Sequence, residues 1–423
     1  MHIYFSGIGG VAIGPLSEIA FDAGYAVSGS DLHESLVTTE LRERGINVAI
    51  GQDGSQIRAT HERQPIDWVV YTAALPENHP ELVFAREHGI RTSKRDELIA
   101  EIIRDKDLKL IAISGTHGKT TTTGMVIWAL KQLGIQPSYS IGTTISFGPS
   151  GAYVPGSEYF VYECDEFDRN MLQFEPHLTI ITSLDHDHFD TYPTVDEYRK
   201  AFTDFLQQSN YSLLWEKDLR YLATDPAADL EAYDELMRLD HLTLAGDHTR
   251  HNAFLVERAL SRLLPDVSER EIRAALNSFP GTDRRFERIA ENLYTDYGHH
   301  PVEIAATLQM AREVSDRIVL VYQPHQNIRH HEIKNDYTDC MELAEEIYWL
   351  PTYLSREDPS LEILQPQELV DNLTNKDSVH IAELNDALWR ELKTHRDASK
   401  LVLVMGAGSI DDWARQMVAA EKL

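Results

Sequence analysis

The sequence predicts an α/β protein built as three consecutive α/β domains with mainly parallel sheets. Short apolar strand-like runs alternate with helical patterns along most of its 423 residues, the signature of strands joined by helical crossovers. A chain of this length exceeds one comfortable hydrophobic core. Polar joints near Asp107 and at FPGTDRRFERI divide the alternation into thirds, giving expected domains at 1–107, 108–280 and 281–423.

The first third opens with HIYFSG as a strand, a helix from about Gly10 to Gly24, and YAVSGSD as a second strand. INVAIG and WVVYTAA continue the strands, and RDELIAEIIRD is an amphipathic helix. Between the first strand and helix, Gly7-Ile8-Gly9-Gly10-Val11-Ala12 fits G-x-G-x-x-[GA], and Asp31 ends the next strand where a ribose-binding acid would lie. This Rossmann-like arrangement points to a diphosphate at a helix N-terminus, where N–H groups and the dipole favour anions. A nicotinamide dinucleotide and a UDP-sugar both fit it.

The second third begins with the strand LKLIAISG, which feeds Gly115-Thr116-His117-Gly118-Lys119-Thr120 and then a helix. This is the context of a phosphate loop, in a form shorter than G-x-x-x-x-G-K. Loop N–H groups would wrap nucleotide phosphates, Lys119 would offset charge in phosphoryl transfer, and Thr120 would reach Mg²⁺. Two acid clusters end the next strands: Glu163, Asp165, Glu166 and Asp168 after EYFVY, and Asp185, Asp187, His188 and Asp190 after HLTII. Their oxygen-rich set suits magnesium better than zinc. The stretch GDHTRHNAFLVERALSRLL reads as a loop and a helix. The last third carries NLYTDYG, RIVLVYQPH, EEIYWLP and LVLVMGAG as strands.

Composition excludes several classes. A net charge of −29 argues against nucleic-acid or anionic-membrane partners, which need a positive surface. No apolar run reaches the roughly 18 residues that span a bilayer, so no membrane insertion is expected. The N-terminus goes straight into a strand pattern without a basic segment and long apolar stretch, and the 2 cysteines form no disulfide framework. A cytoplasmic protein, monomeric or homodimeric, is expected.

Taken in order, GIGG, SGSD, TAALPENHPE, GTHGKTTTT, ECDEFD, DHFD, GTDRRFE, DYGHHPVEI, QPH and MGAG resemble the Mur ligase family over nearly the whole chain. These are the ATP-dependent amide-forming enzymes of peptidoglycan precursor assembly. The resemblance implies a Rossmann-like N-terminal domain for a UDP-sugar, a phosphate-loop ATPase-like central domain and a Rossmann-like C-terminal domain for the amine. It implies ligation of L-alanine to the lactyl carboxylate of UDP-N-acetylmuramate through an acyl phosphate, with ATP and Mg²⁺. By resemblance, Gly7, Ile8, Gly9, Gly10, Ser30, Asp31, Thr72 and Ala73 contact the UDP-sugar. Gly115 to Thr121 (Gly115, Thr116, His117, Gly118, Lys119, Thr120 and Thr121), with His248, Asn252, Arg285 and Asp296, serve ATP. Thr120 and Glu163 bind one metal ion, and His188 a second. Tyr297, His299, His300, His325 and Arg329 belong to the amino-acid side, and Lys119, His188, Arg285, His300 and Arg329 are the expected catalytic set.

Some positions depart from the family pattern. Thr182-Ser183 stands where the family has T-N, Thr249 replaces the first asparagine of H-N-x-x-N, and Thr295 replaces an acid. Gln326-Asn327 falls in the segment where the family reads Q-P-H-R-Y, and IYWLPTYLSREDP also diverges. Gln326 removes a bidentate cation suited to a carboxylate, which bears on the amine more than on the reaction. Three other readings compete: a murein-recycling ligase that adds a tripeptide, or another amino acid, to the same sugar nucleotide; an NAD-dependent oxidoreductase; and a non-catalytic nucleotide sensor. The phosphate loop and acids count against the oxidoreductase. The presence of Lys119, Glu163 and His188 counts against the sensor.

Overall fold

The computed structural model describes residues 1–72, 74–188, 191–223, 226, 229–355 and 357–421; Ala73 and Asp190, both singled out above, lie outside the described residues. Three sheets organise the chain. The first holds β1 (His2–Ser6), β2 (Ala26–Asp31), β3 (Asn47–Ile50), β4 (Trp68–Tyr71) and β5 (Arg91–Ser93), all parallel in the order β3-β2-β1-β4-β5. The second holds β6 (Lys109–Ser114), β7 (Ser138–Ser140), β8 (Gly151–Ala152), β9 (Tyr159–Glu163), β10 (Leu178–Ile181), β11 (Ser212–Trp215) and β12 (Leu230–Tyr233). Its order is β12-β11-β10-β6-β9-β7-β8, and only the short β7–β8 pair is antiparallel. The third holds β13 (Glu287–Ala290), β14 (Leu293–Asp296), β15 (Ile318–Tyr322), β16 (Glu346–Trp349), β17 (Val379–Ile381) and β18 (Leu401–Met405). Its order is β13-β14-β18-β15-β16-β17, with β13–β14 antiparallel.

The central strands explain their own sequences. HIYFS, LTII and IVLVY are buried along their whole length, because a parallel sheet covered by helices has no solvent face. Topology then places the loops. β1 lies between β2 and β4, and β6 between β10 and β9, so in both sheets the chain leaves the central strand where the strand order reverses. Ligand crevices form at such switch points, outside the carboxyl ends of the strands.

The structure forms two compact units: Met1–Arg238 with Asn252–Phe279, and Leu239–His251 with Pro280–Leu423. The first two sheets share one unit for a physical reason. The helix Arg95–Asp105 buries Leu98, Ile99, Ala100, Ile102 and Ile103, and one apolar cluster runs from Ile3 and Phe5 through this helix to Leu110 and Phe160. Packing is therefore continuous past Asp107. Polar ties reinforce it: Tyr25 donates to Asp105 at 2.5 Å, Tyr162 donates to Asp96, and Lys94 pairs with Asp168. No helix among the described residues is long and apolar enough to cross a membrane.

Candidate active site

In the first sheet, Ser6 ends β1 and the chain turns through Gly7–Gly10 into the helix Ile13–Asp22. The amides of Gly7 and Ile8 both donate to the Ser30 carbonyl at 2.9 Å. Gly7 has φ +82°, and a Cβ there would meet Thr72 Cγ2 at 2.8 Å, so Thr72 stands against the loop and glycine suits the turn. Asp31, expected to meet a ribose, accepts the Gly9 amide at 2.8 Å. Ile8 is buried, whereas Gly9 and Gly10 are half-buried. Gly7, Ile8, Gly9, Gly10, Ser30, Asp31 and Thr72 thus lie together at this strand end.

In the second sheet, β6 delivers Gly115–Gly118 into the helix Lys119–Gln132. The loop is pinned by the neighbouring strand end. Thr116 N–H donates to the Ser183 carbonyl at 2.8 Å, His117 N–H to Ser183 Oγ at 3.1 Å, and Thr182 Oγ1 to the His117 carbonyl at 2.6 Å. Ser183, a departure from the family pattern, therefore supports the loop. His117 is fixed through its backbone, and its Nε2 lies 4.0 Å from Asp185. Gly118 has φ +84°, and a Cβ would meet Asn252 Nδ2 at 2.5 Å, which places Asn252 directly against the loop. Thr121 is half-buried in the first turn of the helix.

The acids flank this loop because β9 and β10 are the two neighbours of β6. Thr120 Oγ1 donates to Glu163 Oε1 at 2.9 Å, and Glu163 Oε2 accepts the Gly142 amide at 3.1 Å. Lys119 Nζ contacts both oxygens of the buried Glu166 at 2.8 and 3.0 Å, and the Gly115 carbonyl at 2.6 Å. Burial by itself disfavours that ammonium, but Glu166, Asp165 and Glu163 outweigh it and hold the Lys119 pKa above the ordinary lysine value. His188 has φ +56°, and its Nε2 lies 3.4 Å from Glu166 Oε1. Burial opposes its charge too, yet Glu166 and Asp187 raise its pKa above the usual imidazole value.

Two donor sets suit a divalent cation. The touching hydroxyl of Thr120 and carboxylate of Glu163 are hard oxygens that fit magnesium. Ligand atoms of Asp165, Glu166 and His188 lie within 4.8 Å of one another. His188 thus faces Glu166 in the second set, separate from the Thr120–Glu163 pair. Glu166 is the acid that residue types alone did not single out within ECDEFD. Its one distinguishing signal is position, three residues beyond the end of β9.

The remaining candidates lie in the second unit, except Asn252. Asp296 is buried and accepts the amides of Phe286 at 2.8 Å and Gly298 at 2.7 Å. Burial pushes its pKa up to about 6 against the pull of Arg285, whose guanidinium lies 5.0 Å over the Tyr297 ring. His300 caps the helix Pro301–Val314 through its Nδ1. Burial lowers His299 to about 4 and His248 to about 4, so both are neutral at pH 7. His299 and His325 rings are 5.4 Å apart, and His325 stacks on Tyr353. Arg329 lies in the helix Asn327–Ile333.

The two divergent segments meet here. The amides of Asn327 and Ile328 donate to Glu357 at 3.1 Å, and Asn327 bridges the Glu362 carbonyl at 3.0 Å and the Leu364 amide at 2.9 Å. Gln326, at φ +67°, donates its amide to the Tyr353 carbonyl at 3.0 Å.

Comparisons with known proteins agree with this architecture. Residues 2–107 match the Mur ligase family catalytic domain, 113–233 the Mur ligase middle domain, and 284–408 the Mur ligase glutamate ligase domain. The chain is 30% identical to a UDP-N-acetylmuramate–L-alanine ligase of Novosphingobium aromaticivorans, covering 99% of this chain and 96% of that one. It is 32% identical to the ligase of the same name from Nitrosospira multiformis, covering 97% and 92%. The crystal structure of UDP-N-acetylmuramate–alanine ligase from Thermotoga maritima superposes with a TM-score of 0.76 at 26% identity, over 100% of this chain and 99% of that one. A murein peptide ligase from Psychrobacter arcticus shares the fold, with a TM-score of 0.65 at 22% identity over 99% and 98%. With its two switch-point loops, its lysine–acid cluster and this full-length similarity, the chain belongs to the Mur ligase family.

Proposed function

We propose that this enzyme ligates L-alanine to the lactyl carboxylate of UDP-N-acetylmuramate at the expense of ATP. The observation that carries the reading is the phosphate loop whose Lys119 and Thr120 meet Glu166 and Glu163 at the switch point of the second sheet. Full-length relatives named for this reaction support it. In this reading residues 1–107 hold the sugar nucleotide, 108–280 hold ATP and 281–423 present the amine. The reaction belongs in the cytoplasm, where ATP is available.

A carboxylate lacks a leaving group, so its oxygen first takes the γ-phosphoryl of ATP and ADP departs. The amine then attacks the acyl carbon, phosphate leaves, and the amine gives up a proton as the amide forms. The protein's contribution is positioning and charge. Lys119 holds the phosphoryl oxygens, and the loop amides orient them. Thr120 and Glu163 would hold one Mg²⁺ and His188 would help hold a second, supplying positive charge against the phosphates. Asn252, His248, Arg285 and Asp296 serve the nucleotide. On the amine side, Arg329 would supply a cation for the carboxylate of an amino acid near His299, which burial keeps neutral. Tyr297, His300 and His325 complete that side.

Phosphate release, followed with ATP, Mg²⁺ and UDP-N-acetylmuramate, tests this when L-alanine, L-serine, glycine or a tripeptide is offered. Release stimulated by L-alanine is expected. No stimulation by any amine overturns the ligase reading. Release with the tripeptide alone replaces L-alanine, an outcome to which Gln326 gives specific weight.

A further inference from the structure

Glu81 lies in the first turn of the helix Pro80–Glu87 and is fully buried. Its carboxylate accepts the Tyr4 hydroxyl at 2.8 Å, the Ser30 hydroxyl at 2.7 and 2.8 Å, and the Ser6 hydroxyl. Burial, and then the Glu81 charge, push the Tyr4 phenol well above its ordinary pKa, so it stays a donor. An acid so placed is costly unless its oxygens are bonded. Here three hydroxyls from two strands satisfy them.

Those donors sit at the base of the first glycine loop. Ser6 is the residue before Gly7. Ser30 takes the amides of Gly7 and Ile8 on its carbonyl, and the next residue, Asp31, takes the Gly9 amide. One side chain therefore ties the carboxyl ends of β1 and β2 to each other through the residues that also carry the loop. We propose that Glu81 is a positioning residue for sugar-nucleotide binding: by accepting the hydroxyls of Ser6 and Ser30 it sets the relative height of the two strand ends on which Gly7–Gly10 rests. This builds on the reading of residues 1–107 as the UDP-sugar domain. A buried polar hub of this kind specifies one geometry, because any slip of β1 against β2 leaves an oxygen or hydroxyl unpaired.

Glu81→Gln keeps the volume but replaces one accepting oxygen with an amide that can only donate. Binding of UDP-N-acetylmuramate to ATP-free enzyme should weaken about tenfold, and its KM should rise alongside. The KM for ATP and the kcat at saturation should stay within about twofold, a split that general loss of structure does not produce. Tyr4→Phe and Ser6→Ala remove single donors and leave the acid in place; each should weaken sugar-nucleotide binding about threefold, and they carry the test if E81Q does not fold. Unchanged sugar-nucleotide binding in the folded variants, or equal rises in both KM values, overturns the role of Glu81. The wild-type titration separates the two claims: if wild-type enzyme does not bind UDP-N-acetylmuramate, the functional reading itself fails.

Discussion

The first unit contains two loops of the same plan: a buried central strand, a glycine turn at a switch point, and a helix. They rest on opposite chemistry. Gly7–Gly10 carries no cation, and its supports are hydroxyls and the acids Asp31 and Glu81. Gly115–Gly118 leads into Lys119, which is packed against Glu166 with Glu163 and His188 nearby. Amides and a helix dipole suffice to hold a diphosphate that does not react. Transferring a phosphoryl group needs positive charge where negative charge develops. In the proposed reading the glycine turn marks where phosphate would bind, whereas the side chains beneath it would separate a binding loop from a reacting one.

The strongest way to break this contrast is Lys119→Ala. Removing the cation should lower turnover on the order of a thousandfold, with UDP-N-acetylmuramate affinity within about threefold of wild type. Phosphate release and sugar-nucleotide titration check this; loss of sugar binding in a folded K119A would mean that the two loops are not independent. Next, Glu163→Gln splits the oxygen pair with Thr120. A drop of about a hundredfold is expected, partly restored by raised Mg²⁺. A magnesium dependence identical to wild type would remove Glu163 from the metal site.

Glycine substitutions probe both loops symmetrically. Gly118→Ala forces a Cβ into Asn252, and Gly7→Ala forces one into Thr72, both at positive φ. Each should cost about 1–3 kcal/mol of stability. Affinity should fall about tenfold for ATP only in the first and for the sugar nucleotide only in the second. Crossed effects would contradict the assignment of the loops.

A last effect, on stability and not on binding, concerns a support of the phosphate loop. Buried Asp218 accepts the Leu184 amide at 2.9 Å, beside Ser183, and burial pushes its pKa from 3.8 up to about 6. Because the folded value is raised, its contribution to stability is present below about pH 4 and is lost as pH rises through 6. Asp218→Asn removes the cost of the buried charge, on the order of 2–3 kcal/mol. It should raise Tm by a few degrees at pH 7.5 and by clearly less at pH 4.5, where the folded side chain keeps its proton. An equal shift at both pH values would show that charge is not the cause.

Much of the site was legible because its signals are local. Gly7 and Gly118 sit at turns that their neighbours in sequence announce, and Lys119-Thr120 follows at the start of a helix. The clusters around Glu163 and His188 end apolar runs that read as strands. Other features were not legible. β5, β7, β8, β12, β13 and β17 are short or lie toward the sheet edges, so their hydrophobic patterns are weak, and β11, though buried throughout, is a strand of only 4 residues. His300 reads as a catalytic candidate from its block; that its Nδ1 also accepts the Val302 amide is a contact the block does not announce. The partnership of Asn327 with Glu357, Glu362 and Leu364 joins two segments about thirty residues apart that looked separately aberrant.

The α/β class, the order of the glycine loops and the candidate phosphate-holding residues could be read from the residues in order, because backbone turns and strand periodicity depend on near neighbours. That Glu166 meets Lys119, that Glu81 lies beneath Gly7–Gly10 and that the first two sheets share a core emerges from the folded chain alone. Those outcomes depend on which strands become neighbours. An acid at a strand end acquires a partner only when β9 and β10 flank β6, or when β1 and β2 close over the helix that carries Glu81.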